Sequence, residues 1–87
     1  MNQLQAFRDT IALAKSKGLH LTRVPELSMT HLEGMLARIE SDPDRFSPSK
    51  LGRWLGWAQA AVVSWGDGIT MEDMKRINLD NRDEPLT

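Results

Sequence analysis

The residue types able to do chemistry are few in this chain. It has two histidines and no cysteine, and neither His20 nor His31 stands three or four residues from a second histidine, the spacing a helical metal site needs. No metal site is expected. Two carboxylate pairs, Glu72/Asp73 and Asp83/Glu84, could in principle serve as general acid and base. The first falls at a predicted helix start and the second in a polar tail, where capping and solvation account for them. Ser28, Ser41, Ser47, Ser49 and Ser64 have no base nearby in the sequence, and no glycine-rich phosphate loop follows a strand. The expectation is a protein that is not an enzyme and carries no cofactor.

Binding is the chemistry that remains, and its residues concentrate between Ser47 and Trp65. That stretch holds all three tryptophans and the longest apolar run. Trp57 and Arg53 are of the types that most often dominate binding energy at interfaces. Trp57 lies off the main apolar stripe, and Val63 extends this second face. A helix apolar on two faces is either centrally buried or half of an interface; four helices of this length barely enclose a central one, so an interface is favoured. Gly52, Gly56 and Ala60 repeat at intervals of four and leave a groove without side chains. Glycine costs about 1 kcal/mol relative to alanine inside a helix, so the groove should be compensated by the close approach of another helix. That helix is either a neighbour in the same chain or one from a second subunit or partner. The candidate protein-binding residues are therefore Arg53, Trp57, Gly52, Gly56, Ala60 and Val63.

The elements that must position them are helical throughout. Leu51, Trp54, Leu55, Ala58, Val62 and Trp65 recur at spacings of three and four, the period of one buried helix face. Ser47-Pro48 supplies a cap and a proline suited to the first turn, and Gly66 and Gly68 end the helix. Upstream, Leu4, Phe7, Ile11 and Ala14 predict a helix from residue 2 to about 17, capped by Asn2 and ended at Gly18. Residues 19–25 alternate apolar and polar side chains without a partner strand, which predicts an extended connector laying two or three of Leu19, Leu21 and Val24 on the core. A second helix begins at Ser28 or Thr30, buries Leu32, Met35, Leu36 and Ile39, and stops before Pro43. A fourth opens at Thr70 with Asp73 completing a capping box, and turns Met71, Met74 and Ile77 inward. From Asp80 the chain is polar, and residues 81–87 are expected to form a flexible tail beyond a single domain over 1–80. The expected fold is an all-α, four-helix domain with the tryptophan-rich helix at its centre.

Composition narrows the function classes. An 87-residue, 9.8 kDa chain buries only roughly 60% of its unfolded surface as a monomer. With no cysteine to form disulfides, self-association is the common remaining source of stability, and a homodimer or higher oligomer is expected. No run reaches the roughly 18 apolar residues of a membrane span, and the N-terminal stretch lacks the order of a secretory signal; a cytoplasmic protein without membrane contact is expected. The net charge of −1 and pI near 6.1 argue against a general nucleic-acid binder. Charge is nonetheless placed in blocks: residues 1–23 and 47–66 are net basic, residues 24–46 and 67–87 net acidic. Such blocks suit a solvated surface or complementary packing. A helix-turn-helix reader is the rival class. It would use Lys75, Arg76, Asn78 and Arg82 of the fourth helix, although Glu72 and Asp73 in its first turn would face phosphates badly.

The stretch Lys50-Leu51-Gly52-Arg53-Trp54-Leu55-Gly56-Trp57-Ala58-Gln59, followed by Thr70-Met71-Glu72-Asp73-Met74-Lys75-Arg76-Ile77-Asn78, resembles small proteins of the early regions of temperate bacteriophages and prophages. The resemblance covers roughly residues 35–80. It implies a regulatory protein of a bacterial host cell that acts by seizing another protein: an antirepressor that disables a phage repressor, or an inhibitor of a host nuclease or defence factor.

Overall fold

A computed structural model describes residues 1–18 and 22–83 of the chain. Four helices make up the fold: α1 (Gln3–Ser16), α2 (Met29–Ser41), α3 (Pro48–Ser64) and α4 (Met71–Asp80). Each begins where a side chain can accept an otherwise unpartnered backbone N–H. Asn2 accepts from Gln5, Ser28 from His31, Ser47 from Lys50, and Thr70 from Asp73. Ser28, and not Thr30, is therefore the cap of α2. Asp73 returns the bond to the Thr70 N–H at 2.8 Å and completes the capping box. Gly18, Gly66 and Gly68 hold positive φ, the conformation that closes α1 and turns the chain between α3 and α4.

Side-chain pairs fix how the helices run. Arg8 pairs with Glu40 and Lys15 with Glu33, so α1 and α2 are antiparallel. Thr10 meets Gln59, and Gln3 lies against Gly52, each pair separated by 49 residues; α1 and α3 thus run parallel. The Asn2 N–H donates to the Asn81 carbonyl and the Asn81 side chain donates to Asp9, which brings the end of α4 to the first half of α1.

Helix α1, and not the tryptophan-rich helix, is the hub, since it packs against all three others. Its buried arc is Ala6, Phe7, Thr10, Ile11 and Ala14, with alanines that let neighbouring backbones come close. The corresponding buried face of α3 is Leu55, Ala58, Ala61 and Val62, again with two alanines. Leu51, Trp54 and Trp65, expected in the buried stripe, are only half-buried, because indoles are too large for an interface built on alanine. Leu32, Met35 and Ile39 of α2, with Ile69 and Met74, complete the core.

Two short 3-10 turns, Pro25–Leu27 and Pro43–Arg45, were not expected. Of the apolar side chains of the expected connector, Val24 stays off the core, 46% exposed, while Leu19 and Leu21 fall outside the described residues. Met71, expected to face inward, is also exposed, since it opens α4 before the helix reaches the core. The chain beyond Asp80 does not fray at once. Asn81 is buried, its side chain donating to Asp9 and to the Ile77 carbonyl while its own carbonyl accepts from the Asn2 N–H at 2.6 Å. Residues 84–87 lie outside the described part. No described helix is long and apolar enough to cross a membrane.

Candidate protein-binding site

The 3-10 turn at Pro25–Leu27 is too short to satisfy its own carbonyls, and Trp57 of α3 and Trp65 at its C-terminal cap satisfy them instead. The indole N–H of Trp57 donates to the Glu26 carbonyl at 3.0 Å, and that of Trp65 to the Leu27 carbonyl at 2.8 Å. Trp57 nevertheless keeps 47% of its surface exposed. It is thus neither core nor a loose surface side chain. Its polar edge is pinned by its own chain, and its ring is left to solvent in a fixed orientation.

The exposed flank of Trp57 opens on a cleft between α2 and α3. A hollow of about 340 Å³ is lined by His31, Met35, Arg38, Arg53, Trp54 and Trp57. At Arg38 and Trp54 it continues into a second hollow that includes Phe46 and Lys50. The floor is apolar, with Met35 buried and Trp54 half-buried. Phe46, held by the second 3-10 turn, meets the Trp54 ring edge-on at 5.0 Å between centroids. Lys50 Nζ stands 4.9 Å from the centre of Phe46 and 5.3 Å from that of Trp54, within the range where an ammonium is attracted to the ring face.

The cations of this cleft differ from several others on the surface. Arg8, Lys15, Arg45 and Lys75 each pair with a carboxylate. Among the described residues Arg38, Lys50 and Arg53 form no such pair. Their charge is available to an anionic group from outside.

Of the residues singled out from the sequence, Arg53 and Trp57 come together in this cleft. Gly56 and Ala60 are exposed on the solvent side of α3, and a Cβ added at Gly56 would meet nothing within 4 Å. Gly52 is different, because the Gln3 amide nitrogen lies 3.1 Å from where its Cβ would stand. The groove is therefore filled by α1 at one end only. Val63 is half-buried and packs against the core. His31, Met35, Arg38 and Lys50, which line the same cleft and its extension, were not singled out from the sequence. The signal was present in the spacing of residues 31, 35 and 38 on one face of α2, but nothing in the sequence says that this face lies across from Arg53.

The other candidate chemistries find other roles. No group of three His, Cys, Asp or Glu side chains stands together among the described residues, and His20 falls outside them. The Thr70 backbone N–H holds the Asp73 carboxyl below its ordinary value, against a smaller desolvation effect, and Glu72 pairs with Lys75; both serve α4. Asp83 pairs with the terminal amine of Met1. Of the residues a helix-turn-helix reader would use, Asn78 is turned inward, exchanging two amide bonds with Gln59 at 2.9 and 3.2 Å, and Lys75 is engaged by Glu72.

Comparison of the chain with protein-family models, curated proteins and solved structures returns no match.

Proposed function

We propose that this protein is a small regulator that works by capturing another protein, and that the captured protein is a phage repressor, which it disables as an antirepressor. The observation that carries the reading is Trp57. An indole held by a backbone carbonyl at 3.0 Å yet 47% exposed, beside an unpaired Arg53, is a preorganised anchor of the kind that dominates binding energy. Binding there is steric: the target surface is covered, and with it the target's access to DNA or to its own assembly. The uncharged solvent face of α3 at Gly56 and Ala60, left open by the rest of the chain, supports a homodimer built on that face beside the cleft. The likeness of residues 50–59 and 70–78 to early phage proteins supports the choice of target.

The test is retention of proteins from a lysogenic bacterial extract on immobilised wild type, Arg53→Ala and Trp57→Phe protein, followed by operator-release assays on what is retained. A DNA-binding repressor held by the wild type, released from its operator, and lost or weakened in Arg53→Ala supports the reading. A retained set indifferent to Arg53 sinks it.

A further inference from the structure

The cleft between α2 and α3 has a mixed character that defines its occupant. Its floor, Met35 and Trp54, is apolar, so an occupant must bring an apolar side chain to displace water from it. Its rims are cationic: Arg38 on α2, Arg53 on α3, with Lys50 lining the second hollow. None of the three has a carboxylate partner among the described residues. Like charges on the two walls of a cleft disfavour each other, and an anion placed between them relieves that repulsion.

A second observation points to the same place. Gly34 and Gly56 are both helix-interior glycines, both exposed, and a Cβ at either would meet nothing within 4 Å. Gly34 stands three residues after His31 and four before Arg38, and Gly56 three after Arg53. Each costs its helix about 1 kcal/mol relative to alanine with no contact inside the chain to compensate. The space at Gly34 is open to a foreign backbone beside the α2 wall of the cleft, while the space at Gly56 belongs to the face of α3 assigned above to a second copy.

Resting on the protein-capture reading, we infer that the α2/α3 cleft takes an acidic amphipathic segment of the partner protein: an apolar anchor on Met35 and Trp54, flanked by Asp or Glu side chains reaching Arg38 and Arg53. A nucleic acid fits less well. The chain is net negative, only three cations of the cleft are unpaired, and Asp42 stands in the second hollow beside Arg45, where a phosphate would meet it. A second copy of this chain also fits less well, because its carboxylates are largely committed. Glu33, Glu40, Asp42, Glu72 and Asp83 are in ion pairs, and Asp73 is in a cap.

A displayed library of random peptides, selected on the immobilised protein, tests this. The expected winners carry Asp or Glu around a large apolar residue. A synthetic winner should bind about tenfold or more weakly to the double variant Arg38→Glu/Arg53→Glu and equally well to Arg82→Glu, a charge change away from the cleft. Selection repeated on the Arg38→Glu/Arg53→Glu protein should yield basic peptides, a gain that a misfolded protein does not show. Absence of winners, winners without acidic bias, or affinity unchanged by the charge reversal overturns the inference. So does oligothymidylate binding through the same arginines in preference to peptide, or sedimentation showing that charge reversal dissolves a dimer. If the peptides fail while Arg53-dependent capture of a repressor persists, the acidic-segment inference falls and the proposed function stands. If capture is also indifferent to Arg53, both fall.

Discussion

The indole of Trp65 donates to the backbone carbonyl of Leu27 at 2.8 Å, across 38 residues of chain. With Trp57 on Glu26, it clamps the 3-10 turn that leads into α2. Helix α3 thereby sets the start of the helix that forms the opposite wall of the cleft.

Replacing Trp65 by Phe keeps an aromatic ring in place and removes the donor. The half-buried Leu27 carbonyl is then left without it, and stability should fall by about 1 kcal/mol. Trp57→Phe should fall by less, since solvent reaches the Glu26 carbonyl. Urea unfolding of the two variants side by side checks the order; an equal loss in both would remove the clamp as a determinant of stability.

Gln59 and Asn78 exchange two amide hydrogen bonds, and the Gln59 amide nitrogen also reaches the Thr10 hydroxyl at 3.3 Å. Three helices meet at one side chain. The single changes Gln59→Ala and Asn78→Ala should each destabilise, and the double mutant should lose less than their sum. A coupling energy of about 0.5–1 kcal/mol is expected from a double-mutant cycle; strict additivity would show that the pair is not a unit.

Glycine at 56 has no intramolecular justification, so Gly56→Ala should raise the stability of the isolated chain by about 0.5–1 kcal/mol. Gly52→Ala should gain less, because the added methyl would push on the Gln3 amide, 3.1 Å away. Thermal denaturation compares them directly. The same Gly56→Ala chain, and more so Gly56→Leu, should associate less tightly in sedimentation if the open face of α3 joins two copies.

Asp73 gives the fold an acid-sensitive element. The Thr70 N–H donates to its carboxylate, so its folded-state affinity for protons lies below the ordinary value of 3.8. The cap's contribution is therefore full above that value and is lost as pH falls through the lower folded-state value. The stability difference between wild type and Asp73→Asn should be constant near neutral pH and shrink toward zero below about pH 3.8. A difference that grows on acidification would reverse the assignment.

Much of the fold was legible because its determinants are local. Asn2, Ser47-Pro48 and Thr70 with Asp73 mark helix starts within a few residues of the side chains they cap, and the apolar stripes follow from period alone. What could not be read is which stripe faces which. The alanines of α1 make it the hub, but alanine carries little periodic signal, whereas three tryptophans draw attention to α3. The candidate site was half legible for the same reason. Arg53 and Trp57 stand out by type, while Arg38 and His31 acquire meaning only because the turn at Pro25–Leu27 brings α2 alongside. That turn is held by indole contacts to backbone carbonyls across 31 and 38 residues, which no local pattern encodes.

The hub position of α1 also bears on synthesis. Ribosomes deliver this helix before any of the three that cover it, and its bond to Asn81 spans 72 residues. Its apolar arc is therefore covered in full only once all three partners have been made, so the order of synthesis leaves the hub waiting for its cover.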